Sequence, residues 1–253
     1  MDTYQTYLIV CPLLFLAGFV DSIAGGGGLI SLPAYLLAGL PPHLALGTNK
    51  FSSTMGTTIS TVRFALNGFI QLRPALLCIL MAFIGSTIGS RLALLVSENV
   101  VKNLMIIVLP IVAFYVLRNK KLGSDAGMVE TLPDKRALLI TSAAALFIGC
   151  YDGFYGPGTG TFLLLILTGA ARLGMRTSAG LTKATNLASN VAALLTFILN
   201  AKVYYPLAIA GAVFNILGNY VGSGMVMNNA KRIVKPIIIF VLILLFVKIL
   251  WQN

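Results

Sequence analysis

Apolar runs occupy most of the chain and fall into two sets of five. The first set covers roughly 8–24, 26–40, 51–67, 72–96 and 100–118; the second covers roughly 137–152, 157–171, 183–200, 204–226 and 233–251. Several of these runs match the thickness of a bilayer core, so they predict membrane-spanning helices. The first two runs of each set are shorter. A helix of about 15 residues reaches roughly 22 Å, less than the ~30 Å hydrocarbon core. Each short pair is therefore expected to form either two short spans or a re-entrant hairpin. A turn within the membrane must line a cavity or be buried in protein, because a free amide in lipid costs several kcal/mol.

The two sets repeat one another. Gly18, Asp21, Gly25 and Gly27 recur as Gly149, Asp152, Gly156 and Gly158, 131 residues later. After a two-residue insertion the spacing is 133. It pairs Gly47 with Gly180, Lys50 with Lys183, Phe64 with Phe197, Asn67 with Asn200, Gly85 with Gly218, Gly89 with Gly222 and Lys102 with Lys235. Such a recurrence of Gly, Lys, Asn and Asp marks an internal duplication. The expected organisation is a first transmembrane repeat at 1–118, a linker at 119–136 and a second transmembrane repeat at 137–253.

Basic residues orient this arrangement. Arg118, Lys120, Lys121, Lys135 and Arg136 place the linker in the cytoplasm by the positive-inside rule. Counting outward from it, Arg73, the Arg172–Arg176 stretch and the loop of Lys231, Arg232 and Lys235 fall inside. The loops of His43 and Glu98 and both chain termini fall outside. The count closes only if each half crosses the membrane an odd number of times, which inverts one half relative to the other. The predicted fold class is therefore an all-α polytopic membrane protein with two inverted-topology repeats of about five apolar segments each.

Composition agrees. The 253 residues are 58% hydrophobic and 10% charged, with a mean hydropathy of +0.92; a soluble domain has about 25% charged residues. The net charge of +11 would suggest nucleic acid in a soluble protein. Here the charge sits in short loops and serves orientation, so a nucleic-acid partner is not expected. Cys11, Cys78 and Cys150 form no CxxC and are expected to pack as reduced, small apolar groups.

Two carboxylates stand where they should be costly. Asp21 and Asp152 lie within apolar runs, each just before a glycine-rich turn. Three roles are open to them: capping the helix beyond the turn, carrying a proton for coupling, or binding a cation. The turns are Gly25-Gly26-Gly27-Gly28 and Gly156-Pro157-Gly158-Thr159-Gly160. Each opens a new apolar helix, where free N–H groups and the positive end of the helix dipole suit an anion. Lys50 and Lys183 each end a Gly-x-x-Lys run and read as fixed charges at the start of a helix, for an anion path or for snorkelling to water. Thr48, Asn49, Ser52, Ser53, Thr182, Thr185, Asn186 and Asn190 add a polar stripe around them. The Gly85/Gly89 and Gly218/Gly222 pairs allow close helix packing, within the chain or in a homodimer. There is one His, no cluster of metal ligands, no GxSxG and no nucleotide-binding loop. Neither an enzyme nor a metal or cofactor is expected.

The stretch Phe19-Val20-Asp21-Ser22-Ile23-Ala24-Gly25-Gly26-Gly27-Gly28-Leu29, followed by Leu46-Gly47-Thr48-Asn49-Lys50, resembles the TauE/SafE sulfite exporter family, also called the sulfonate uptake permeases, and within it the YfcA-like branch. Asp152-Gly153-Phe154-Tyr155-Gly156-Pro157-Gly158-Thr159-Gly160 is similar to that family's second motif, and the likeness covers nearly the whole chain. The resemblance implies a multi-pass transporter of the bacterial inner membrane for sulfite, sulfonates or related organic anions. The second half departs from the first at Leu181, Thr182 and Ala184, where Thr48, Asn49 and Phe51 stand.

The expected function is thus secondary transport of small anions by alternating access. The expected substrate site comprises Gly25, Gly26, Gly27, Gly28, Thr48, Asn49, Lys50, Gly156, Gly158, Thr159, Gly160, Lys183 and Asn186. Asp21 and Asp152 would act as proton carriers or structural caps. The alternatives are a cation- or proton-coupled carrier using Asp21 and Asp152, and an intramembrane enzyme or scaffold without transport.

Overall fold

The computed structural model describes residues 3–100 and 134–226. The rest of the fifth apolar run in the first half, all of it in the second, most of the linker, and Lys102, Lys231, Arg232 and Lys235 lie outside the described residues. The first half contributes α1 (Thr3–Ala24), α2 (Gly28–Leu37), α3 (Pro42–Leu66) and α4 (Leu72–Leu95). The second contributes α5 (Lys135–Phe154), α6 (Thr159–Gly169), α7 (Met175–Leu199) and α8 (Tyr205–Val226). The lengths recur in order: 22, 10, 25 and 24 residues, then 20, 11, 25 and 22.

Among the described residues, four helices, α1, α4, α5 and α8, are long and apolar enough to cross a membrane. Their outer faces carry large apolar side chains. On α4, Leu72, Leu76, Leu80, Ile84, Ile88, Leu92 and Leu95 are exposed at helical spacing, and on α8, Ile209, Val213 and Leu217 are. Such a stripe is expected where the surroundings are lipid. At 10 and 11 residues, α2 and α6 reach only about 15 Å and cannot cross the core alone.

Helices α3 and α7 pack against each other inside this frame. At 25 residues each they extend about 37 Å, enough to span. They carry buried Thr48, Asn49, Lys50, Ser52, Thr54 and Thr57 on one side, and Thr182, Lys183, Thr185, Asn186, Ser189 and Asn190 on the other. This corrects two expected helix starts. Lys50 and Lys183 do not open helices; they lie two turns inside helices that begin at Pro42 and Met175. The polar residues that end the apolar runs are an inward helix face rather than a helix end. Pro42 suits the first helical position, where no N–H is needed. His43, expected in an outer loop, is also buried here. Its Nε2 lies 3.0 Å from the Ala93 carbonyl oxygen and its Nδ1 3.5 Å from Glu98 Oε1.

Glycine contacts join the halves. A Cβ on Gly85 would fall 2.1 Å from the Leu146 carbonyl oxygen, and one on Gly89 would fall 1.9 Å from that of Cys150. In the second half, a Cβ on Gly218 would fall 2.1 Å from the Phe15 carbonyl oxygen and one on Gly222 would fall 2.1 Å from Ser22 Oγ. The fourth helix of each half thus lies backbone to backbone on the first helix of the other. The glycine faces that could have served a homodimer are spent within the chain. Gly85→Val is expected to destabilise the protein by at least about 1–3 kcal/mol through overpacking, read as an earlier thermal unfolding in detergent. An unchanged midpoint would show that this contact does not hold the halves together.

Apolar packing follows the same exchange. One core gathers Leu14, Leu32, Tyr35, Leu46, Phe197 and Leu207, so α2 is enclosed partly by helices of the second half. A smaller core gathers Ala75 of α4, Ala137 of α5, Leu167 of α6 and Leu181 of α7, with Leu173 from the loop between α6 and α7. Cys11 and Cys78 are buried and all three cysteines are unpaired, as expected.

Candidate functional site

The two glycine turns touch each other where the halves meet. Gly25 and Gly156 adopt positive φ of 69° and 99°, a backbone shape that glycine takes without the steric cost of a Cβ. They let α1 stop and α2 start, and α5 stop and α6 start, within a few residues. The Gly160 amide donates to the Gly25 carbonyl oxygen at 3.1 Å. A Cβ on Gly28 would come within 3.1 Å of Pro157 Cα.

Each aspartate stands in the last turn of the helix before its turn: Asp21 in α1 and Asp152 in α5. A carboxylate there faces the negative end of the helix dipole, which is unfavourable for stability. Ammonium and hydroxyl groups from elsewhere in the chain offset that cost. Lys50 on α3 reaches Asp152 Oδ2 at 2.8 Å and also donates to Asn190 Oδ1 at 2.9 Å. Asp152 Oδ1 accepts from the Thr159 hydroxyl at 2.8 Å, and its Oδ2 accepts from the Ser189 hydroxyl. Lys183 on α7 reaches Asp21 Oδ2 at 3.2 Å and donates to the Asp21 main-chain carbonyl oxygen. The Thr57 hydroxyl approaches Asp21 Oδ2 at 3.4 Å. The lysine of each half is therefore paired with the aspartate of the other.

The two pairs differ in burial. Side-chain exposure is 2% for Lys50 and 4% for Asp152, against 4% for Lys183 and 14% for Asp21. Taking two charges out of water costs several kcal/mol per ion, repaid only by good geometry and further hydrogen bonds. The Lys50–Asp152 pair has both.

Between the pairs lies a polar cavity of about 20 Å³, lined by Asp21, Gly25, Gly28, Asn49, Lys50, Ser53, Asp152, Gly156, Thr159, Asn186 and Asn190. That is room for a water molecule; a polyatomic anion needs the walls to part. Gly28 and Thr159 are the first residues of α2 and α6, so the positive ends of both short helices border the cavity. Most of the lining obeys the repeat: Asp21 with Asp152, Gly25 with Gly156, Gly28 with Thr159, and Ser53 with Asn186.

Of the residues expected at a substrate site, Gly25, Gly28, Asn49, Lys50, Gly156, Thr159 and Asn186 line this cavity. Gly26, Gly27, Thr48, Gly158, Gly160 and Lys183 do not. The Gly160 amide is spent on the facing turn, and the Thr48 hydroxyl accepts from the Tyr204 amide at 3.0 Å, just before α8. Lys183 sits behind Asp21. Ser53 and Asn190 line the cavity although only the general polar stripe pointed to them. Ser189 and Thr57, which hold the two aspartates, went unnoticed. The repeat would have found Thr57, since it is the 133-residue counterpart of Asn190.

The model of the family described as "Sulfite exporter TauE/SafE" matches residues 10–249. The chain belongs to the TauE/SafE family. Relatives within it run the length of the molecule. A "Probable membrane transporter protein ORF9" of Sinorhizobium sp is 35% identical over 236 residues, covering 93% of this chain and 89% of the relative. The "Probable membrane transporter protein YfcA" of Escherichia coli K12 is 32% identical over 261 residues, covering 100% and 96%. A plant relative, "Sulfite exporter TauE/SafE family protein 6" of Arabidopsis thaliana, is 34% identical over 88 residues, covering 34% of this chain and 21% of its own length. No solved structure matches the chain. Its full-length TauE/SafE relatives and its apolar helices make it a multi-pass membrane protein.

Proposed function

We propose that this chain is a secondary transporter that carries small anions, sulfur oxyanions such as sulfite and sulfonates among them, across the bacterial inner membrane by alternating access. The observation that carries this reading is the cavity itself. It is bordered by the N-termini of two interrupted helices and by Lys50, and it is lined by amide and hydroxyl side chains that can replace an anion's hydration shell. Its position between two halves of matching helix order suits a site that opens to each side in turn. On this reading the repeats are inverted, α2 and α6 are the inner arms of re-entrant hairpins, and the linker faces the cytoplasm. The family's name and the printed names of its full-length relatives support transport.

Counterflow in proteoliposomes tests it. Labelled sulfite, sulfate and methanesulfonate are offered against the same unlabelled anion, and saturable exchange of at least one is expected. Lys50→Ala is expected to reduce that exchange by at least tenfold, and exchange unaffected by it would remove the lysine assignment. Saturable sodium uptake without anion flux would favour a cation carrier built on Asp21 and Asp152. No flux under any gradient would leave a scaffold, and a chemically altered substrate would mean an enzyme.

A further inference from the structure

The crossed ion pairs pose a problem for any anion carrier, and its solution names the coupling ion. The cavity wall presents two carboxylates and one ammonium, with Lys183 behind Asp21 supplying the second positive charge. The four groups sum to zero. A monoanion entering this cavity, whose lining is mostly buried, would leave one uncompensated negative charge beside two carboxylates, where a low dielectric makes repulsion strong.

Resting on the carrier reading above, we propose that the protein moves each anion together with protons, one for each negative charge, and that the first proton goes to Asp152. The proton comes from water on the side to which the cavity opens and binds a carboxylate oxygen of Asp152. Lys50 keeps its positive charge, loses its ionic partner and passes to the anion, with Asn190 still holding the ammonium. The filled site again sums to zero. A dianion requires a second proton, for which Asp21 is the remaining acceptor. On release the proton leaves Asp152 and the Lys50–Asp152 pair closes again.

Geometry assigns the two lysines different parts. Lys50 lines the cavity, and its Nζ lies 3.2 Å from where a Cβ on Gly156 would stand. Lys183 does not line it and is also bonded to the main chain of α1. Lys50 is the group handed to the anion, and Lys183 positions the end of α1. The charged and titratable groups around Asp152 are Lys50 on α3, Asp21 across the cavity on α1, and Tyr151 and Tyr155 at the end of its own helix. The Tyr151 hydroxyl is already donated to the Pro157 carbonyl oxygen. From α6 and α7 come the hydroxyls of Thr159 and Ser189, with Lys183 of α7 turned to Asp21. Helix α4 offers the hydroxyl of Ser86, which is bonded to the Ser189 carbonyl oxygen.

The test uses wild-type protein in liposomes loaded with a pH-sensitive dye. An inward gradient of methanesulfonate, a monoanion with no titratable proton near neutral pH, is expected to acidify the interior by one proton per anion. A potassium diffusion potential set with valinomycin is expected to leave the initial rate unchanged, and sulfate is expected to bring two protons. Asp152→Asn, checked for monodispersity, is expected to lose the acidification while still exchanging anion for anion. If that variant does not fold, the wild-type proton count decides. Anion flux without acidification, flux driven by the potential, or full acidification by Asp152→Asn would overturn the coupling and leave the carrier standing. Absence of saturable exchange for every anion offered would overturn the carrier reading, and the coupling with it.

Discussion

Lys50→Met is expected to cost about 3–5 kcal/mol of stability, the usual penalty for removing one partner of a buried ion pair. Asp152 would keep its bonds from Thr159 and Ser189 but lose its counter-charge while buried at the negative end of α5. The double variant Lys50→Met, Asp152→Asn is expected to recover much of that loss, because a neutral amide can accept one of those hydroxyls through its oxygen and donate to the other through its NH2, and no charge remains to be compensated. Folding and transport should then separate: the double variant folds and does not exchange anions. Lys183→Met is expected to be milder, since Asp21 is partly exposed and water can take up some of its charge. Thermal unfolding in detergent ranks the three, and counterflow reads transport in those that fold. A double variant no more stable than Lys50→Met would show that the charges themselves are not what the pair protects.

The sequence identified these four charged groups, and the structure supplied their partners. Asp21 and Asp152 stood out because a carboxylate in an apolar run is expensive, and Lys50 and Lys183 because the repeat doubled them. A repeat tells which positions are equivalent but not which face each other. The exchange of partners between halves appears only once α3 and α7 are packed. The outer helices α1, α4, α5 and α8 read well from apolar runs because one whole side of each is greasy. The starts of α3 and α7 were missed for the opposite reason: Asn49 and Lys50 and their counterparts Thr182 and Lys183 are polar because they face inward. The glycine turns were legible as interruptions. Their mutual contact was not, since it depends on how the two halves cross.

That crossing gives the other large expected effect. A Cβ on Gly160 would stand 2.5 Å from Gly25 Cα, and one on Gly25 would stand 2.3 Å from Gly160 Cα. Neither neighbour is a flexible side-chain end, so relief requires the two turns to move apart and the Gly160–Gly25 backbone bond to break. Gly160→Ala is expected to cost about 1–3 kcal/mol as overpacking. Gly25→Ala should cost more, because its positive φ of 69° adds a backbone penalty of about 1–3 kcal/mol. Gly169→Ala is the control: it ends α6 with nothing within 4 Å of the added carbon. Unfolding midpoints should therefore fall in the order wild type and Gly169→Ala, then Gly160→Ala, then Gly25→Ala. Equal midpoints for Gly160→Ala and Gly169→Ala would mean that the turns are not in contact. The consequence reaches function through the same atoms. The crossing fixes where the first residues of α2 and α6 meet the cavity, so a Gly160→Ala protein that folds is expected to bind anions more weakly even though no group that touches them has changed.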